Sequence, residues 1–527
     1  MPACGHSANT KPRRSCARLC LYPPYATVPA SLRSQRAAPT PSAHHTLGEL
    51  LAARAGATPS GLAFADERRS ATFGELHETA DALAGRFTRM GVRAGDRVAI
   101  VLAAGVGFAE TFWALQLLGA VACAFNPVAL RQTLARRVSS IRPRLVVTDE
   151  LELPAARARL PEVASDPGAL AFLQRTSGSS GEPRAAMLTH GNVLAQLRAT
   201  EEAEHIGADD VLVSWVPPWH DFGLVRFMIA PVWFGMPCHV VRPAIRTIPE
   251  WLATIGRVGG THTGAPDSVY RLACRLVDPA SVDLSSLRYA ANGGEAVRLS
   301  TIENFEERFG VPGTVAPGYG LAEATLGVTA HLPGERPSRD ARGSVSCGTA
   351  FPGVELRVAG TPDAPGEILV RGDIVFGGYL DAPQETAAAL RDGWLHTGDV
   401  GYLDEAGRLY VLGRQKAMIK RGGGVIAPRE LEDAAHTVAG VGFAAAVGMG
   451  EAPAGERVIV VVEADDAGAE AAVMTAGVSA AIRDNLGFSP HDVLVVGPRT
   501  IPRTTNGKVR YGMLRSMVPS LLAPEPG

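Results

Sequence analysis

Short apolar runs alternate with amphipathic stretches through most of the chain. The runs RLVVTD (144–149), VLVSWVP (211–217) and CHVVRP (238–243) have the length and composition of buried strands. Segments 193–204, 248–258 and 300–309 instead repeat apolar residues at helical spacing. Strand and helix in alternation predict α/β layering, with helices covering sheets. No repeat of the solenoid or propeller kind recurs.

One apolar stretch is long enough to raise the question of a membrane span. Residues 98–125 carry a single charge, Glu110. VAIVLA at its start has the composition of a buried strand, Gly105 and Gly107 interrupt it, and FAETFWALQLLGAV then takes helical spacing. Strand, helix, strand in an α/β core is the reading that fits, with no integral membrane segment.

A domain boundary is expected at 412–413. GRLYVL closes one strand pattern there, and the basic, glycine-rich turn QKAMIKRGGG follows. The remaining residues make their own small set: helix RELEDAAHTV, strands AAAVGM and RVIVVVEA, helix AAVMTAGVSAAIRDNL, strand DVLVVG. The expected organisation is therefore an N-terminal extension (1–45), a large N-terminal domain (46–412) and a small α+β C-terminal domain (413–527).

Composition narrows the class. With 51 basic and 53 acidic residues the net charge is -2, which gives no sign of a nucleic-acid partner. Seven scattered cysteines lack zinc-site spacing and are too few for a disulfide scaffold, so a reducing, cytoplasmic setting is the default. Residues 1–45 contain no Asp or Glu and are rich in Arg, Pro, Ser and Ala. They read as a disordered extension, with a transit peptide as the alternative.

The chemistry starts at TSGSSGEPR (176–184). Glycines let backbone N–H groups approach a phosphate, and hydroxyls donate further hydrogen bonds. The loop is not a Walker A motif, because Glu182 and Pro183 follow Gly181 where Lys and Ser/Thr are required. A strand, ALAFLQ, is expected before it and a helix from near Asn192 after it. Alone it also fits a flexible linker. Seven further stretches follow in order: SWVPPWHDFGLV (214–225), HTGAPDSVY (262–270), ANGGEAVR (291–298), GYGLAEATLG (318–327), GWLHTGD (393–399), GRQKAMIKRGGGVIAPRELE (413–432) and PRTTNGKVR (502–510).

Together these motifs resemble the adenylate-forming superfamily, from about residue 46 to the end. The front-half motifs are closest in style to fatty acyl-AMP ligases, whereas KRGGGVIAPRELE is more like acyl-CoA synthetases. The resemblance implies a large N-terminal domain, a hinge and a mobile C-terminal domain. It implies ATP and Mg²⁺ as cofactors, a carboxylic acid, first a fatty acid, as substrate, and transfer from acyl-AMP to a carrier-protein phosphopantetheine thiol. CoA is the alternative acceptor, and a catalytically silent nucleotide-binding homologue is the alternative of another class.

By the same resemblance Thr176, Ser177, Gly178, Ser179, Ser180 and Gly181 would wrap the ATP phosphates, with Arg184 as the adjoining cation. Glu323 would hold Mg²⁺. Gly294, Glu295 and Tyr319 would line the adenine and ribose site, and Asp399 would accept from the ribose hydroxyls. Arg414 would add a fixed cation, Lys416 would be the hinge, His220 would lie beside the acyl pocket, and Lys508 would reach the reacting carboxylate and α-phosphate. Taken singly, Glu323 and Lys508 read as solvated charges and His220 as a core histidine. Trp215 and Trp219 read as core, and Asp221 is open between the acyl pocket and structure. Three departures from the family pattern stand out. Arg184-Ala185 replaces the usual Lys-Gly, Ala417 replaces the usual acid after the hinge lysine, and only about twenty residues separate Leu326 from Ser346, where many members carry a long insertion.

Overall fold

The computed structural model describes residues 44–149, 160, 162–176, 184–204, 206–341, 343–359, 365–422, 424–453, 455–464, 470–503 and 509–522. Thr46 opens the first helix, Leu47–Ala57, with a capping box. Its hydroxyl accepts from Glu49 N, and the Glu49 carboxylate accepts from Thr46 N.

A nine-stranded sheet dominates the large domain. Its central strands, Cys238–Val240, Leu212–Ser214, His262–Ala265, Tyr289–Asn292 and Val315–Gly320, lie side by side and parallel. Gly327–Ala330 and Thr349–Ala350 extend one edge antiparallel, and Leu62–Ala65 with Ser70–Thr72 extend the other. A second sheet runs in the order Leu145–Val147, Arg97–Ile100, Val121–Ala124, Leu170–Arg175, Ala185–Thr189.

The helix between Arg97–Ile100 and Val121–Ala124 is Val106–Leu118, as the apolar pattern predicts. It is buried on nearly every face. Its charge, Glu110, is paired by both oxygens with Arg69, which removes the cost of burying a lone carboxylate. Among the described residues, no helix is long and apolar enough to cross a membrane.

Trp394–Leu403 is the spine of a third sheet, flanked by Gly366–Arg371 and Leu409–Arg414. After Leu412 comes a fourth sheet, ordered Gly424–Ile426, Ile419–Arg421, Gly455–Ala464, Val441–Ala452, with Asp492–Val496 parallel beside Gly455–Ala464. Side chains alternate along a strand. Val458, Val460 and Val462 accordingly face the helices Pro428–His436 and Ala471–Leu486, while Ile459 and Val461 face the last helix, Tyr511–Leu522. Burial on both faces explains why RVIVVVEA is continuously apolar. The stretch expected as a turn, QKAMIKRGGG, instead forms a 3₁₀ turn, Gln415–Ala417, and a hairpin, Ile419–Arg421 with Gly424–Ile426.

Candidate active site

The parallel strands of the nine-stranded sheet deliver their carboxyl ends to one region, where ligands bind in open α/β sheets. His220 lies beyond Leu212–Ser214, Gly294 and Glu295 beyond Tyr289–Asn292, and Tyr319 near the end of Val315–Gly320. Gly293 sits against the neighbouring strand end, since a Cβ there would meet the Gly318 carbonyl oxygen at 3.2 Å.

The strands on either side of the phosphate-loop candidate pair with each other. Leu170–Arg175 and Ala185–Thr189 pair antiparallel with Arg175 opposite Ala185, and Thr176 N donates to Arg184 O at 2.9 Å. The extra strand separates the loop from the helix expected near Asn192, which begins at His190. Ser177, Gly178, Ser179, Ser180 and Gly181 lie outside the described residues, as does Lys508.

The second strand of this hairpin borrows a partner from far along the chain. Met187 N donates to Gly378 O at 2.9 Å, and Leu380 N donates to Ala185 O at 2.9 Å. That pairing carries Tyr379 to the hairpin base. The Arg184 guanidinium lies over its ring, 5.2 Å from the centroid. The Tyr379 hydroxyl donates to Glu323 Oε1 at 2.7 Å.

Glu323 is fixed by a tight turn. Gly320 is required at its start, because a Cβ there would lie 1.8 Å from the Leu326 carbonyl oxygen. Thr325 takes φ +65° and donates its hydroxyl to Ile374 O at 2.7 Å, which offsets the cost of a left-handed β-branched residue. Phe376 N donates to Glu323 O at 2.9 Å. The turn is thus clasped to the segment that ends in Tyr379. Burial raises the Glu323 pKa above the ordinary carboxylate value; the Tyr379 hydrogen bond and the Arg414 charge oppose that shift, and Asp221 reinforces it.

Beside this lies a second cluster. Asp399 and Arg414 face each other across paired strands, and Arg414 Nε meets Asp399 Oδ1 at 3.0 Å. Arg414 Nη1 also donates to Thr397 O at 2.9 Å. The Tyr319 hydroxyl donates to Asp399 Oδ2 at 2.7 Å. Asp399 raises the Arg414 pKa, keeping this cation charged at any ordinary pH.

His220 caps the helix that begins at Asp221, and its Nδ1 contacts the Asp221 carboxylate. Gln174, on the strand before the phosphate loop, donates to Trp219 O at 3.1 Å and so ties the loop to the His220 segment. Trp215 is core, as expected, and Trp219 is half-buried. Glu295 accepts from Ser268 N in the first turn of the helix Asp267–Leu276, so its carboxylate serves as a local cap. Lys416 is exposed in its 3₁₀ turn, and its carbonyl accepts from Arg515 at 3.0 Å. Ala417, where the family has an acid, is buried.

The structure thus joins Tyr319 and Arg414 through Asp399, and joins Arg184 and Glu323 through Tyr379, a residue that sequence reasoning missed. The available signal was an aromatic directly after Gly377-Gly378, and it gains meaning only through a strand pairing with the distant hairpin. No cluster of three or more His, Cys, Asp or Glu suited to a metal occurs among the described residues.

The layered sheets and this cluster of cations and carboxylates at the strand ends define an adenylate-forming ligase. The chain belongs to the AMP-binding enzyme family, which matches residues 51–167 and 149–380. It is 31% identical over 511 residues to the putative ligase Rv1013 of Mycobacterium tuberculosis, covering 83% of this chain and 93% of that protein. It is 30% identical to the medium-chain-fatty-acid–[acyl-carrier-protein] ligase JamA of Moorena producens, covering 71% and 72% of the two chains. A solved structure from a study of fatty acyl-adenylate ligases of E. coli and L. pneumophila superposes with a TM-score of 0.75 at 27% identity, covering 90% of this chain and 97% of that one.

Proposed function

We infer that the protein activates an aliphatic carboxylic acid with ATP and passes the acyl group to a thiol. A carboxylate oxygen attacks the α-phosphorus, the bond to the β-phosphate breaks, and pyrophosphate leaves. The thiol sulfur then attacks the acyl carbon, AMP leaves, and the thiol proton passes to solvent. The observation that carries this reading is the run of contacts from Arg184 through Tyr379 to Glu323, set beside Asp399, Arg414 and Tyr319 at the strand ends.

Transfer at phosphorus needs positioning and charge neutralisation more than covalent help. Thr176 and Arg184 frame the phosphate loop, and Asp399 offers a ribose the lone pairs that its bonds to Arg414 and Tyr319 leave over. One carboxylate combined with substrate phosphates is a common mode of Mg²⁺ binding, and Glu323 fits it. Bound there, Mg²⁺ would neutralise developing phosphate charge. Lys508 is assigned to the reacting oxygens as a mobile cation. We divide the chain at 412–413, with rotation about Lys416 exchanging the faces used in the two steps.

A phosphopantetheine carrier is the assigned acceptor, supported by the likeness to JamA. The test is a pyrophosphate-release screen over carboxylic acids, followed by incubation of the active acid with CoA or a phosphopantetheinylated carrier. Acyl-carrier formation is expected, and efficient acyl-CoA formation would transfer the assignment to CoA.

A further inference from the structure

The helix His190–Glu204, which follows the strand Ala185–Thr189, holds the Glu323 turn through two side-chain amides. Asn192 and Gln196 stand four residues apart and so share one helix face. Neither lies in any of the motif stretches quoted above. Asn192 works at the join of strand and helix. Its Oδ1 accepts from Thr189 N at 3.0 Å, and its backbone N donates to the Thr189 hydroxyl at 3.1 Å. Both side-chain hydrogens then go to one segment, because Nδ2 donates to Asp373 O at 2.7 Å and to Val375 O at 2.9 Å.

The carbonyl between those two serves the turn instead. Ile374 O accepts from the Thr325 hydroxyl at 2.7 Å, and Phe376 N donates to Glu323 O at 2.9 Å. Residues 373–376 are therefore a strut between the helix and the Glu323 turn. Gln196 reaches the turn without the strut. Its Oε1 accepts from Gly327 N at 3.0 Å, and Gly327 pairs with Gly320 at the base of the turn. Gln196 is only 1% exposed. Thr200 fixes which way its amide faces. The Thr200 hydroxyl donates to Gln196 O at 2.9 Å, so it can only accept from Gln196 Nε2, at 3.3 Å. The amide oxygen is left for Gly327, whose backbone N–H needs an acceptor.

We propose that Asn192 and Gln196 are positioning residues for Glu323, holding its turn in register with the strands beside the phosphate loop. The proposal rests on the adenylation reading, in which Glu323 and that loop meet the same nucleotide. Thr189 ends the second of those strands, so Asn192 sets the strut relative to the loop. Gln196 sets the base of the turn one helical turn further on. A single attachment would leave the turn free to pivot, and the two together stop it. Small errors matter here, since a misplacement of about 1 Å can cost about 100-fold in rate.

The test uses three variants of the full chain. Asn192→Asp keeps the acceptor for Thr189 N and removes both donors to the strut. Gln196→Met keeps the side-chain length and removes the acceptor for Gly327 N. Gln196→Glu restores that acceptor, and the Thr200 hydroxyl can turn to donate to its second oxygen. Pyrophosphate release is measured well below the melting temperature, alongside amide hydrogen exchange. Asn192→Asp and Gln196→Met should each lower kcat by about 10- to 100-fold. The KM for ATP should change little, the pattern of a misplaced group rather than lost binding. Gln196→Glu should recover most of the loss. Exchange in Gln196→Met should quicken over 320–327 and stay unchanged over 170–175. Wild-type kcat in Asn192→Asp and Gln196→Met overturns the proposal and leaves adenylation intact. A loss that only follows the fall in melting temperature, without recovery in Gln196→Glu, also overturns it. No acyl-AMP from the wild type with any acid overturns adenylation. Faster exchange confined to 320–327 then still upholds the positioning of Glu323, and unchanged exchange overturns both.

Discussion

Tyr379 donates its hydroxyl proton to Glu323 across 56 residues of sequence, at 2.7 Å. The bond ties the segment paired with the phosphate hairpin to the carboxylate assigned to Mg²⁺. Tyr379→Phe keeps the ring under Arg184 and removes only the donor. A hydrogen bond to a charged group contributes about 1.5–3 kcal/mol. The expected result is a loss of about 10- to 100-fold in kcat/KM for ATP, with a raised Mg²⁺ requirement. Wild-type values for both would remove Tyr379 from the site.

Arg184 is explained by the same ring. A planar guanidinium stacks on an aromatic face, whereas an ammonium keeps its hydration and its mobility. Arg184→Lys should therefore raise the KM for ATP by a few-fold, with kcat less affected, since cation–π contacts contribute about 0.5–2 kcal/mol. The paired variant Arg184→Lys with Tyr379→Leu shows whether the ring is the partner. If so, the effect of Arg184→Lys shrinks in that background.

Much of the fold is legible in the sequence. The helix expected at 248–258 is observed as Ile248–Val258, and the strand–helix–strand reading of the most apolar stretch holds. These elements are set by local periodicity. What escapes local pattern is pairing between distant segments. Ala185–Thr189 is short and begins with two alanines, and it becomes a strand by pairing with Leu170–Arg175 and with residues 377–380. Tyr379 gains its place in the site through that pairing, as Asp399 and Arg414 do through theirs. The motifs singled out the side chains, and only the sheet geometry shows which of the described ones touch.

Residues on either side of the proposed 412–413 boundary meet through charge. Arg298 Nε donates to Asp433 Oδ1 at 2.7 Å, Arg429 Nε donates to the same carboxylate at 3.0 Å, and Arg429 also reaches Val297 O. Burial opposes ionisation of Asp433, yet the two arginines hold its pKa below the usual value. Arg298→Ala should loosen this contact and speed limited proteolysis near Lys416. Unchanged cleavage would show that the contact does not restrain the proposed hinge.

Glu432 gives a pH signature. Burial, helped by Asp433, pushes its pKa up to about 7, although Ala446 N and the Tyr511 hydroxyl donate to it. A raised carboxyl pKa means that the folded state prefers the protonated form. The associated stability is full below about pH 4.5 and is lost as pH rises through about 7. The change is of order 3 kcal/mol. Glu432→Gln should flatten the melting temperature of the small domain across that window. An equally steep profile in the variant would assign the dependence elsewhere.

The most direct measurement is mass-spectrometric detection of acyl-AMP after mixing the full-length protein with ATP, Mg²⁺ and a panel of carboxylic acids, with Lys508→Ala alongside. The expected result is acid-dependent acyl-AMP and pyrophosphate from the wild type, and a large loss in the variant with ATP binding retained. ATP binding without acyl-AMP from any acid would contradict adenylation, and near-normal acyl-AMP from Lys508→Ala would contradict the role given to that lysine.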